Sequence, residues 1–164
     1  MTAGNFKQVY FSLHPKLYRI AFTILRNAEN AEDIVQEAYC KLWDNRKKLA
    51  DVRTPEAYCV TLVKHLCMDF LRSPKTTLSN YNIDDYDFYD SATNVEDNIE
   101  NKEAITKVKN IINSLPEKQQ RILNLHGFVG CSMEEIETIT GESAVNIRVL
   151  LSRARNTLRT KFIH

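Results

Sequence analysis

Two groups of side chains in this chain have the types and spacing to do chemistry, and the chemistry is recognition. Near the end, Arg148, Arg153, Arg155, Arg159 and Lys161 fall in a stretch, residues 143–164, that contains no acid. Guanidinium groups along one helix can bond guanine edges in the DNA major groove, or the phosphates flanking it. Earlier, Asp33, Gln36 and Glu37 stand at i, i+3 and i+4, which makes one short acidic-polar stripe on a helix. A solvated helix face has the same composition, so spacing alone leaves both readings open.

Bond-making chemistry is not expected. The sequence has no phosphate-binding glycine loop, no metal-ligand cluster and no nucleophile–base arrangement, so neither a cofactor nor a metal is anticipated. Cys40, Cys59, Cys67 and Cys131 include no C-x-x-C pair, and reduced, mostly buried thiols are the expectation. There is no basic segment followed by a leader-like apolar run, and no apolar run of membrane length. A cytoplasmic protein without membrane insertion is the corresponding expectation.

The elements that must position these groups are helices. With 164 residues the chain holds one ordinary domain or two small ones, and four glycines and four prolines are too few for a many-turned β fold. Phe6, Val9, Tyr10 and Leu13 suggest a first helix. Pro15 suits the first turn of a second, whose apolar stripe is Leu17, Ile20, Ala21, Ile24 and Leu25. Asn27–Asn30 read as a turn into the helix of the acidic stripe. There Ala31, Ile34, Val35, Ala38 and Leu42 form the buried face, and Asn30 and Asp33 resemble a capping box. Residues 45–52 read as a loop rich in Arg46, Lys47 and Lys48. Thr54-Pro55-Glu56 then caps a helix running to Arg72, with Tyr58, Leu62, Leu66 and Phe70 in register.

Periodicity disappears over residues 75–101. Between 82 and 103, Lys102 stands alone against Asp84, Asp85, Asp87, Asp90, Glu96, Asp97, Glu100 and Glu103. This is an acidic linker. Its charge also suits occupation of a basic channel built for nucleic acid. Helical pattern resumes at Lys102 with Ile105, Val108, Ile111 and Ile112, and breaks at Ser114–Glu117. It continues through Gln120, Ile122, Leu123 and Leu125 to a turn at Gly127–Gly130. Ser132 and Glu135 make a capping box, Gly141 a tight turn, and Ser143 caps a last helix carrying Val145, Ile147, Leu151, Ala154 and Leu158. Two helices across a short Gly-containing turn, the second bearing the arginines, are a helix-turn-helix. The Ser143 cap sets the phase. The apolar stripe then turns Arg148, Ser152 and Arg155 outward, with Arg148 nearest the bases.

The phrase Asn-Ala-Glu-Asn-Ala-Glu-Asp-Ile-Val-Gln-Glu-Ala-Tyr-Cys-Lys-Leu-Trp, residues 27–43, closely resembles the helix by which bacterial sigma factors grip RNA polymerase. The subgroup it most resembles is the extracytoplasmic-function (ECF) sigma factors. Ser-Leu-Pro-Glu-Lys-Gln-Gln-Arg-Ile-Leu, Gly-Cys-Ser-Met-Glu-Glu-Ile and Ser-Arg-Ala-Arg-Asn-Thr-Leu-Arg resemble sigma domain 4. The resemblance spans Phe6 to Arg72 and about Ala104 to Phe162.

It implies an all-α chain of domain 2 at 1–74, an acidic linker at 75–101 and domain 4 at 102–164. It implies core RNA polymerase as partner, with Asp33, Gln36 and Glu37 on a coiled coil of the largest subunit and domain 4 on the flap of the second-largest. It implies promoter DNA as well, and allows an anti-sigma factor. By position, Leu49 to Arg53 would form the loop that captures a minus-ten base, with Tyr58, Thr61, Lys64 and His65 lining the adjoining helix. In domain 4, Arg148, Val149, Ser152 and Arg153 would face minus-thirty-five bases or nearby backbone, and Asn146 and Arg155 phosphates. Val149-Leu150 departs from the polar pair frequent in the family. A stand-alone helix-turn-helix regulator, and a sigma-like adaptor for another machine, are the competing readings at this point.

Overall fold

The computed structural model describes residues 3–73 and 99–163, and among these no strand occurs. They fall into two compact units. The acidic stretch over 75–98 lies outside the described residues.

The first unit contains α1 (Ala3–Tyr10), a 3-10 turn (Phe11–Leu13), α2 (His14–Leu25), α3 (Ala28–Asp44), the single turn α4 (Arg46–Leu49) and α5 (Pro55–Arg72). α2 packs on both α3 and α5, which also pack on each other. Leu17, Ile20 and Ile24 of α2, Val35 and Leu42 of α3 and Cys59 and Val63 of α5 are fully covered. Each large aliphatic side chain so covered contributes roughly 1.5–3 kcal/mol. Phe6 anchors α1 by setting its ring edge-on to Trp43, with centroids 5.1 Å apart.

Local chemistry places the ends. Pro15 occupies the first turn of α2, and Arg26 closes it in the left-handed conformation at φ 56°. α3 begins at Ala28, one turn before the expected start, because Asn27 is the cap: its Oδ1 accepts the Asn30 N–H at 2.7 Å. Thr54 stands at the start of α5, yet its side chain makes no capping bond, and Pro55 sets the first turn.

Three further expectations for this unit are corrected. Residues 46–49 form α4 rather than open loop, and Leu49 at its end is 3% exposed. Val9 faces outward. The buried stripe of α5 is Cys59, Val63, Leu66 and Cys67, whereas Tyr58 is exposed and Leu62 and Phe70 are half-buried. Leu66 is buried as expected and Met68 is covered as well, but contact with α2 and α3 turns the covered face from the Tyr58 side of Leu66 towards Cys59, Val63 and Cys67.

The second unit contains α6 (Ile99–Ser114), α7 (Glu117–Leu123), a π-helical turn (Asn124–Val129), α8 (Met133–Thr140) and α9 (Ala144–Ile163). α9 packs on α6, α7 and α8. Ile122, Leu125, Ile136, Ile147 and Ala154 are its covered centre. α6 starts before the expected Lys102, since residues 99–101 include neither Gly nor Pro to stop it. The expected turn at Gly127 is helical through Val129, and the break comes at Gly130, at φ 82°. Gly141, at φ 76°, turns α8 into α9. Both angles lie where a Cβ is disfavoured.

The capping box forms as expected: Ser132 Oγ accepts from the Glu135 N–H at 3.1 Å, and the Ser132 N–H donates to Glu135 Oε1 at 2.8 Å. Ser143 Oγ accepts the Asn146 N–H at 3.1 Å, which starts α9 in the expected phase. Within α9, Val145 is 67% exposed and Leu150 is buried, reversing the expectation for Val145. Ile147 is covered, and Val145, two residues before it, therefore points to the opposite side of the helix.

Candidate functional site

The acidic stripe is built by burial of the opposite face of α3. Ile34, Val35 and Ala38 are covered, and Asp33, Gln36 and Glu37 are all exposed. Gln36 Nε2 donates to Glu32 Oε1 at 3.0 Å, and His14 Nε2 of α2 lies 3.1 Å from the same oxygen. Partial burial pushes the Glu32 carboxyl up, but the hydrogen bonds from Gln36 and His14, with the charge of His14, outweigh it and leave the group below its ordinary value. Glu32 and His14 were not among the expected residues. The Glu32–Gln36 spacing of four was a readable signal; His14, on another helix, gave none. Tyr39 closes the same side, its hydroxyl donating to the Tyr10 carbonyl at 3.3 Å. Burial, then the neighbouring Cys59 and Glu32, push that hydroxyl up to about 12.

On α5, the structure brings Tyr58, Thr61 and His65 to one exposed face, with Lys64 half-buried beside them. Arg53, just before the helix, is exposed. Leu49 does not join them: its side chain is in the core, where it supports the segment from beneath. An exposed ring near cations is the pairing that single-strand binding uses, stacking a base while cations meet phosphates.

On α9, Arg148, Ser152, Arg153 and Arg155 line one open groove of about 670 Å³. His126 and Asn156 line it as well and were not expected, and Arg159, part of the basic stretch but assigned no contact, joins them. Arg159 was legible, since 148, 152, 155 and 159 continue a single helical stripe. His126 comes from the π-helical turn, and Arg155 Nη2 lies 3.2 Å from its Nδ1. Asn146 and Val149 do not line the groove. Asn146 Nδ2 donates to Glu142 Oε2, and Lys118 Nζ pairs with Glu142 Oε1 at 3.1 Å. Val149 is 37% exposed. The face can therefore present several forked donors to an anionic duplex.

Among the described residues no group of three His, Cys, Asp or Glu could hold a metal ion, and no helix is long and apolar enough to cross a membrane. None of the four cysteines is in a disulfide, and Cys40 alone of them is exposed.

Comparison with known proteins gives these faces a context. Residues 9–77 match Sigma-70 region 2, and residues 105–158 match Sigma-70, region 4. The chain is 28% identical over 142 residues to RNA polymerase sigma factor SigV of Bacillus subtilis (strain 168), covering 87% of this chain and 81% of that one. It is 18% identical over 159 residues to the ECF RNA polymerase sigma factor SigX of the same organism, covering 94% and 82%. Among solved structures it is similar to the sigma factor RpoE in complex with the anti-sigma factor NepR from Bartonella quintana, with a TM-score of 0.44 and 22% identity over 96% of each chain. Carrying both sigma regions in order, this chain belongs to the sigma-70 family, in its extracytoplasmic-function (ECF) subfamily, and is an RNA polymerase sigma factor that directs transcription initiation.

Proposed function

We propose that the two units divide promoter recognition between them and that each exposed face has one task. The α3 stripe of Asp33, Gln36 and Glu37 grips core polymerase at a coiled coil of its largest subunit. Tyr58, Thr61, Lys64 and His65, with Arg53, receive a minus-ten base from the melted strand; Leu49 shapes that segment from inside and touches no base. The α9 groove reads the minus-thirty-five element, with Arg148 at the bases and Arg155 nearer the backbone, while the same unit meets the flap of the second-largest subunit. Residues 1–74 and 102–164 serve as the two domains, and the acidic stretch between them as a charged tether. The chain supplies recognition and no bond-making chemistry of its own, and it works in the cytoplasm, where core polymerase is. An anti-sigma factor covering the α3 stripe would hold it off polymerase.

The observation that carries this reading is the division of α3 into two faces. Ile34, Val35, Ala38 and Leu42 are covered by the bundle, so packing already accounts for the apolar side, and Asp33, Gln36 and Glu37 are left facing outward. The test is reconstitution with core enzyme followed by sequencing of transcript starts. Starts sharing two spaced elements support the reading. Loss of the upstream element's influence when α9 is altered, with the downstream one still used, would assign the elements as proposed. Starts unchanged by the chain's presence would overturn it.

A further inference from the structure

We infer that His126 is a positioning residue for promoter binding, holding Arg155 through its Nδ1. The inference rests on the proposed role of the α9 groove in DNA binding.

Arg155 Nη2 lies 3.2 Å from His126 Nδ1. A guanidinium can only donate, so Nδ1 is the acceptor, and in this contact the imidazole is neutral with its proton on Nε2. The two residues come from different elements, Arg155 from α9 and His126 from the π-helical turn, and both line the groove. Arginine carries large rotamer freedom, and an exposed one loses it on meeting a phosphate unless a neighbour has already restricted it. Arg155 is exposed. The His126 contact supplies that restriction before DNA arrives and leaves the other guanidinium nitrogen atoms available for donation. The π-helical winding of residues 124–129 sets where His126 emerges, so the turn has a use in recognition beyond joining α7 to α8.

The experiment measures affinity and salt dependence of the complete chain bound to core polymerase. The probe is a duplex carrying the upstream sequence recovered from transcript-start sequencing. Arg155→Ala should lower the salt slope by about one. His126→Ala should weaken binding to all upstream sequences alike and add nothing in the Arg155→Ala background. His126→Asn, whose Oδ1 can stand where Nδ1 does, should restore most of the loss, and His126→Gln should not. Helix content of each variant guards against misfolding, and the Asn rescue separates positioning from mere support of the fold. An undiminished affinity for His126→Ala, or additive losses in the double variant, overturns the inference while leaving the groove assignment standing. If Arg155→Ala itself changes nothing, the role of Arg155 in the groove and the inference fall together.

Discussion

His14 and Glu32, eighteen residues apart in the chain, meet at 3.1 Å between α2 and α3. Their contact lies at the N-terminal edge of the acidic stripe, and the same carboxylate oxygen also receives Gln36. The oxygen thus orders one of the three stripe residues and ties its helix to a neighbour.

That relationship has a pH signature. The folded Glu32 carboxyl lies below its ordinary value of 4.5, so its stabilisation is full above the unfolded value and is lost as pH falls through the folded one. Both side chains are more than a third exposed, so solvent screening limits the effect to about 0.2–1 kcal/mol. Denaturant melts of wild type and Glu32→Gln, run from neutral into acid, should converge below the folded Glu32 value. Curves separated by a constant amount at every pH would contradict this.

Charge reversal at Asp33 and Glu37 should separate folding from function. Exposed helix charges contribute only tenths of a kcal/mol to about 1 kcal/mol, so the double Lys variant should keep its helical signal. Its binding to core polymerase should drop sharply. Normal binding in a pull-down with core enzyme would remove the stripe from the interface.

The rotation of α5 can be checked with two residues of one apparent stripe. Leu66 is 8% exposed and Tyr58 is 43% exposed. Leu66→Ala should cost about 2–5 kcal/mol in unfolding free energy, and Tyr58→Ala only about 0.5 kcal/mol. Tyr58→Ala should instead reduce open-complex formation, measured by permanganate footprinting of the melted strand. Equal destabilisation by the two would mean that Tyr58 is core.

Arg148→Ala should change which upstream sequences are used. Loss of a bidentate guanine contact costs about 1–3 kcal/mol and relaxes one position of the site. A promoter library randomised in the upstream element measures this directly. Uniform weakening across the library would place Arg148 on the backbone.

Thiol labelling should distinguish Cys40. It is exposed, while Cys59, Cys67 and Cys131 are buried. Burial, with Glu56 nearby, pushes the Cys59 thiol up to about 12, which suppresses the reactive thiolate. One fast-reacting thiol in the native chain and three more after denaturation are expected by mass spectrometry.

The sequence by itself determined what depends on neighbours within one helical turn. The Ser132–Glu135 capping box, the Ser143 cap and the two faces of α3 follow from residues three or four apart, and Pro15 starts α2 through its own fixed φ and missing N–H. The phrases at 27–43 and in the C-terminal block carried the family. Tertiary structure decided what depends on partners from elsewhere. The expected and observed apolar stripes of α5 share Leu66 but lie to different sides of it, with Tyr58 exposed and Cys59, Val63 and Cys67 covered, and only the surfaces of α2 and α3 choose between them. Leu49 left the expected site because the bundle covers it. His126 entered the α9 groove from twenty-nine residues away, as His14 reached Glu32 from another helix. Local period specifies which residues share a face; the direction that face points is a property of the packed core, which pairs residues by space and not by spacing.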